Sequence, residues 1–273
     1  LNLSQRCATR ASALALLLWL SAWLPEASAE WYLAGYGGVS TGGVLRDVTM
    51  NNLGERLALQ QLPPGIFNPT DVAFGSFTQS FNTANLSLKS SPIFGGKAGY
   101  FFSDEGFSWL GVEVEAYTTK PSIRKQTVRS HQEITYTPNQ DQGVQCFDPI
   151  PPSNCPKFIR SDGQVSLADE SELRVTTVAL NVIARYPGQI VQPYLGVGAG
   201  AFYFSSSSGP VQGRQWVPGL NVLAGFKLFF TDEWGVFAEG KYNYATISTF
   251  DPTFGVSGAY STLHAVGGIA YRF

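Results

Sequence analysis

The chain has 273 residues and a formal net charge of −2, with 14% charged and 14% aromatic side chains. That charged share lies below the roughly 25% of soluble domains, and no basic patch or stripe marks a nucleic-acid partner. With 2 histidines and 3 cysteines, the chain also offers little material for a metal centre or for histidine-based catalysis.

Residues 1–29 read as a secretory signal. Arg6 and Arg10 form a basic start, Ala13 to Leu24 ("ALALLLWLSAWL") an apolar core, and Ala27–Ser28–Ala29 a small-x-small cleavage site. The apolar run is too short for a spanning helix, which needs about 20 residues. Residues 30–273 are then expected to form one domain.

That domain shows apolar-polar alternation of period two rather than a sustained helical period. Eight strands are predicted, at 30–40, 91–103, 109–120, 172–186, 192–205, 217–230, 234–248 and 259–273. Each reaches the roughly 9–11 residues that a tilted membrane strand requires. The run "LGERLALQQL" (53–62) is the one helix-like stretch, and 71–89 could add strand within the first loop, leaving a ten-stranded variant open.

Connections alternate in length. Long ones fall at 41–90, 121–171, 206–216 and 249–258; short ones fall at 104–108, 187–191 and 231–233. An eight-stranded antiparallel up-and-down transmembrane β-barrel has this layout, with long extracellular loops and short periplasmic turns. Cys146 and Cys155, in "CFDPIPPSNC", read as one disulfide of an exported protein.

Each strand has a charge-free face and a face with isolated ionisable groups. Leu110, Val112, Val114 and Ala116 oppose Glu113 and Glu115; Val236, Ala238 and Gly240 oppose Glu239 and Lys241. The polar faces carry too little charge for a solvated wall, and aromatic residues crowd both ends of the strands. Both features fit a barrel with lipid outside and polar groups inside. Folding 91–103 onto 109–120 about Glu105 sets Lys97 opposite Glu113 or beside Glu115. Folding 217–230 onto 234–248 about Glu233 sets Lys227 opposite Glu239. An interior network of Lys97, Glu113, Glu115, Arg185, Lys227, Glu239, Lys241 and Arg272 is expected. It would serve as a structural plug, since eight strands enclose only enough room for side chains.

Several chemistries are weighed and set aside. "GVGAGA" (196–201) lacks a following helix, so it is no dinucleotide loop; its glycines make room inside the barrel. Serine-type hydrolysis needs a serine, a base and an orienting acid. His131 lies in a long loop and His264 faces inward on the last strand. The run His264–Ala265–Val266–Gly267 departs from the His-x-Ser-Asn pattern of outer-membrane lipid-A deacylases. Loop carboxylates (Asp141, Asp148, Asp162, Asp169, Glu170, Glu172) could bridge divalent ions to lipopolysaccharide, against the simpler reading of solvated charge.

"WYLAGYGG", "FGGKAGYFF", "QPYLGVGAGAFY", "FFTDEWGVFAEGKYNY" and the terminal "VGGIAYRF" follow one another in this order. Together they resemble the small outer-membrane β-barrel family, related to the OmpA N-terminal barrel and to opacity-type surface proteins. The resemblance covers the strands but not the loops 41–90 and 121–171. It implies a cell outer-membrane location, contact with outer-membrane lipids and lipopolysaccharide, and insertion by the barrel-assembly machinery. It also implies that Ile269, Tyr271 and Phe273 act as the assembly signal. The expected role is non-enzymatic and needs no cofactor or metal: a surface or envelope protein acting on a host or surface ligand through loops 41–90 and 121–171. A narrow diffusion pore and a lipid-A-modifying enzyme are the alternatives.

Overall fold

The structure, a computed structural model, describes residues 30–62, 76–103, 106–137 and 157–273. The predicted signal (1–29) and the Cys146–Cys155 pair lie outside these residues. In chain order the elements are β1 (Glu30–Ser40), β2 (Val44–Met50), α1 (Asn51–Gln61), β3 (Ser76–Thr83), β4 (Leu86–Ser87), β5 (Ser91–Phe102), β6 (Phe107–Thr119) and β7 (Ser122–Ile123). There follow β8 (Gln126–Thr137), β9 (Lys157–Leu167), β10 (Ser171–Arg185), β11 (Val191–Ser206), β12 (Gly213–Phe229), β13 (Trp234–Ile247) and β14 (Val256–Arg272).

Strands β1, β5, β6 and β10 to β14 pair antiparallel in that order, and β1 closes on β14 from Tyr32↔Arg272 to Ser40↔His264. This is a closed barrel of eight strands. Closure matters because backbone polar groups facing hydrocarbon have no water to bond, so a spanning sheet must leave no free edge. Residues 76–89 add no strand to it; β3 and β4 lie above the barrel.

Period-two burial runs through every wall. On β10, Leu173, Val175, Thr177, Ala179, Asn181 and Ile183 point inward, whereas Val178, Leu180 and Val182 are exposed on the outside. The outer wall is apolar throughout its middle, with Leu195, Val197, Leu220, Leu263 and Ile269 each more than half exposed. In β1 the even residues Tyr32, Ala34, Tyr36 and Ser40 are the inward ones. The same parity divides the aromatic residues at the strand ends between the two faces. Trp31, Trp109, Tyr186, Phe230, Trp234 and Phe273 face outward at the short-turn end. Phe101, Tyr194 and Phe229 at that end, and Tyr117, Phe202 and Phe204 at the other, are buried inside instead. Such large inward rings need glycine opposite them: a methyl on Gly95 would lie 2.5 Å from the Tyr36 hydroxyl and 2.6 Å from Tyr117 Cβ.

The two longest connections are folded rather than open loops. Strand β14 extends beyond the barrel and pairs with β2, which pairs with β3, then β8, then β9. Two residues of β2 oppose the single Gly258 between Ser257 and Ala259, and Asp47 takes a positive φ of 50° there. Such a bulge bends its strand. Helix α1 lies on this second sheet, burying Ala58 and Leu62 against Ile134 and Tyr136. Its first amides find partners outside the helix, since Asn52 and Leu53 donate to the Phe254 carbonyl at 3.1 and 3.2 Å. That receiving loop is built around Asp251, 1% exposed, whose carboxylate accepts from the amides of Thr253 (3.1 Å), Phe254 (2.7 Å) and Val256 (3.0 Å). Together these elements make a dome over one end of the barrel.

Asp251→Ala would strip three buried amides of their acceptor and loosen the seat of α1. A cost of about 1–3 kcal/mol is expected, confined to the dome. Limited proteolysis should cut the variant near residues 51–62 while the barrel keeps its heat-modifiable gel shift. An unchanged cleavage pattern would show that Asp251 does not hold the dome.

Candidate functional site

The interior of the barrel is stacked in three zones. At the short-turn end Glu30 receives two arginines. Arg185 forms a two-pronged pair with it, donates from Nε to the Ser108 carbonyl (2.9 Å) and from Nη1 to Gln192 (3.2 Å), and lies 3.6 Å over the Phe101 ring. Arg272 donates to Glu30 at 3.3 Å and twice to the Asp232 carbonyl, at 2.9 and 2.6 Å. The guanidinium forks of this mouth are therefore occupied by the protein's own acceptors.

The middle zone is a charge network that spans the lumen. Lys97 Nζ lies 2.5 Å from Glu239 and 3.3 Å from Glu113. Lys241 pairs with Glu115 and lies 3.0 Å from Glu239. Tyrosines supply further donors: Tyr32 to Glu113 (2.5 Å), Tyr36 to Glu115 (2.5 Å) and Tyr194 to Glu239 (2.7 Å). Asn181 donates to Glu113 at 3.1 Å, and Asn221 to Asn181 at 2.9 Å. The network expected from the sequence did not include these tyrosines and asparagines, for which inward parity combined with a hydrogen-bonding group was the available signal.

The expected pairings need correction. Lys97 does have Glu115 as its cross-strand neighbour, but its ammonium reaches Glu113 and, on the far wall, Glu239. Lys227 faces Phe237 across the strand pair, and Glu239 faces Gly225. The turn is centred on Asp232, because the amides of Phe230 and Thr231 both bond the Trp234 carbonyl, and this slides the register by two residues. Lys227 is buried with no carboxylate in salt-bridge reach among the described residues; its ammonium sits 3.3 Å over the Tyr32 ring, flanked by Phe101 and Tyr194.

Above the charges the lumen turns apolar. Asn243 bonds Tyr117 and lies 3.0 Å from His264 Nε2, which closes the polar zone. Phe202, Phe204, Val217, Ile247 and Tyr260 from the barrel strands then form one core with Leu45, Met50, Phe81, Leu86 and Val128 of the dome. The mouth under the dome is filled by this core.

Neither histidine is arranged as a base. His264 is fully buried beside Asn243. His131, on β8, has Nδ1 2.7 Å from Asp162 and Nε2 3.5 Å from Glu133, so both ring nitrogens face carboxylates rather than a hydroxyl. The Asp162 contact, then Glu133, raises its pKa above the usual histidine value. Two of the loop carboxylates considered for divalent ions already have cations: Glu170 pairs with Lys89, and Glu172 lies 3.6 Å from Lys120. Asp141 and Asp148 lie outside the described residues, among which no cluster of three metal-ligating side chains occurs.

With the closed barrel, its lipid-facing wall and its filled lumen described, the comparison with known families is direct. A model of the outer membrane protein beta-barrel domain matches residues 59–273. The chain belongs to that family. Among curated proteins none matches it. Solved structures similar to it include Neisserial surface protein A (14% identity, TM-score 0.40, covering 89% of this chain and 97% of that one). The attachment invasion locus protein Ail of Yersinia pestis (14%, TM-score 0.36, 90% and 100%) is also similar, as is the N-terminal barrel of Pseudomonas aeruginosa OprF (13%, TM-score 0.36, 89% and 97%). At these scores they add no argument to the family match.

Among the described residues, Glu239 is the one carboxylate shared by two buried lysines. Glu239→Gln should therefore cost about 3–5 kcal/mol, the usual effect of stranding a buried charge, in urea unfolding from lipid vesicles. Lys227→Met should be neutral or stabilising, since no ion pair is broken. Equal losses in the two variants would contradict this division of the network.

Proposed function

We propose that this outer-membrane barrel is a non-enzymatic surface protein whose working part is the folded dome. One observation carries the reading: the apolar core that runs unbroken from Phe202, Phe204 and Tyr260 of the barrel into Leu45, Met50 and Phe81 of the dome. A diffusion pore needs a wet path at that mouth, and a lipid-modifying enzyme needs an accessible base and nucleophile. A core of this kind supports neither, whereas it suits a rigid platform held above the membrane. Regions 41–90 and 121–171 would then meet a host or surface ligand through a shaped surface rather than through mobile loops.

In this reading the outer wall contacts outer-membrane lipids and, next to the dome, lipopolysaccharide. Export would rest on residues 1–29. Ile269, Tyr271 and Phe273 would present the terminal strand to the barrel-assembly machinery. Their placement suits such a role: Ile269 and Phe273 are exposed on the outside, and Tyr271 packs between Trp234 (4.8 Å) and Phe273 (4.9 Å).

Planar-bilayer recording of refolded protein should show no steady open channel. Sustained conductance abolished by substituting Lys97 would overturn the sealed reading in favour of a pore. Deleting Phe273 removes one bond of the closing seam, from its amide to the Trp31 carbonyl (3.0 Å). Assembly in cells should fall severalfold, while the purified variant unfolds within about 1 kcal/mol of the parent. Normal insertion of the truncated chain would refute the assembly role.

A further inference from the structure

The sheet of the dome ends in β9. It pairs with β8 on one side, and among the described residues nothing pairs with its other edge. A strand of 11 residues with a free edge offers a row of unpaired amides and carbonyls to another strand. Its side chains say which strand. We propose that β9 pairs antiparallel with β9 of a second copy of this chain, about a two-fold axis at Ser161. This rests on the surface-protein reading and names the dome's partner.

The first argument is charge. With Ser161 opposite its symmetry mate, Arg160 faces Asp162 of the partner subunit, and the partner's Arg160 faces Asp162. Both side chains are free to do so, being 71% and 88% exposed. Within one chain the register already sets His131 beside Asp162 and Glu133 beside Arg160, with the contacts made at 2.7 and 2.9 Å. Pairing at Ser161 extends both rows into ladders of alternating sign. One runs from His131 through Asp162 to the partner's Arg160; the other runs from Glu133 through Arg160 to the partner's Asp162. Moving the axis to Arg160 or Asp162 would set like charges opposite one another, which a sheet disfavours. The pattern is self-complementary in the way a two-fold interface demands.

The second argument is shape. The same axis brings the partner's Phe158 opposite Gln164 and the partner's Ile159 opposite Gly163. Phe158 is 71% exposed, an unusual state for a phenylalanine outside the lipid. Facing it is a depression of about 540 Å³ lined by Arg129, Ser130, Asp162, Gly163 and Gln164. Gly163 contributes no side chain there, which leaves the hollow open to Phe158 of the partner subunit, while Ile159 stays in the core of its own dome. Each copy thus offers both the projection and the hollow.

The test uses the full chain in detergent micelles. Opposed residues of an antiparallel pair have Cα atoms about 4.5–5.5 Å apart, within disulfide range. Ser161→Cys should give an oxidised dimer on non-reducing gels well above the level of the unsubstituted chain. Ser166→Cys, about 33 Å from its mate in this register, should not. In sedimentation, Arg160→Asp and Asp162→Arg should each weaken self-association by about tenfold, two attractive pairs having become repulsive. An equimolar mixture should restore it, because the heterodimer again matches opposite charges. Restoration also excludes misfolding as the cause of the loss. A chain that stays monomeric, a Ser161→Cys signal no stronger than that of Ser166→Cys, or charge variants that associate like the parent would overturn the pairing. A monomer that conducts no ions would leave the sealed surface reading intact; an open channel would remove that reading by itself.

Discussion

Everything inside this barrel depends on how few carboxylates must hold its buried ammonium groups. An eight-stranded wall leaves a lumen only as wide as side chains can bridge, so ionic partners are taken across the lumen as well as along the sheet. Glu239 of β13 takes Lys97 from β5 and Lys241 from its own strand; Glu115 of β6 takes Lys241 from the far side. The tyrosine hydroxyls of β1 and β11 then complete the carboxylates. Such pairs recover the cost of desolvation only when their remaining lone pairs are bonded, and each of the three carboxylates takes one tyrosine hydroxyl toward that end. They also explain the glycines opposite them, since a phenol directed at a central carboxylate has to lie flat against a neighbouring strand.

The mouth beneath the dome follows from a different constraint. Barrel strands β11 and β14 run longer than a bilayer needs, at 16 and 17 residues, and their upper inward positions are Phe202, Phe204 and Tyr260. Rings of that size cannot be left facing water, and no charged network continues up to them. They are covered by β2, β3 and β8, whose apolar faces supply the other half of the core. Barrel and dome therefore share one interior with a change of chemistry part-way up: ionic where strands alone enclose it, apolar where extra sheet closes it.

The barrel was legible in the sequence because lipid imposes parity. Alternation in β6 and β13 marked both faces, and the alternating lengths of the connections marked the two ends. Which residues face inward followed from parity as well, down to Arg185, Arg272 and His264. Partner choice did not. Lys227 and Glu239 share a face, yet a turn centred one residue earlier than assumed separates them, and Lys97 takes the vacated carboxylate from across the lumen. Strand-pair geometry alone has no means of expressing a contact between opposite walls.

The dome was read as loop for a related reason. Its strands are short or mixed in polarity: β3 is "SFTQSFNT" and β8 is "QTVRSHQEITYT". Only one side of each carries apolar groups, such as Phe81, Val128, Ile134 and Tyr136, and polar residues break any run long enough to notice. Such segments become sheet because β14 outruns the membrane and offers its edge to β2, after which each strand templates the next. A sheet grown in this way must stop somewhere, and its last strand inherits the unpaired edge. On β9 that edge carries an arginine and an aspartate on either side of Ser161, and an exposed phenylalanine with a hollow to match. The means by which the dome closes its barrel thus also leaves it a strand to offer outward.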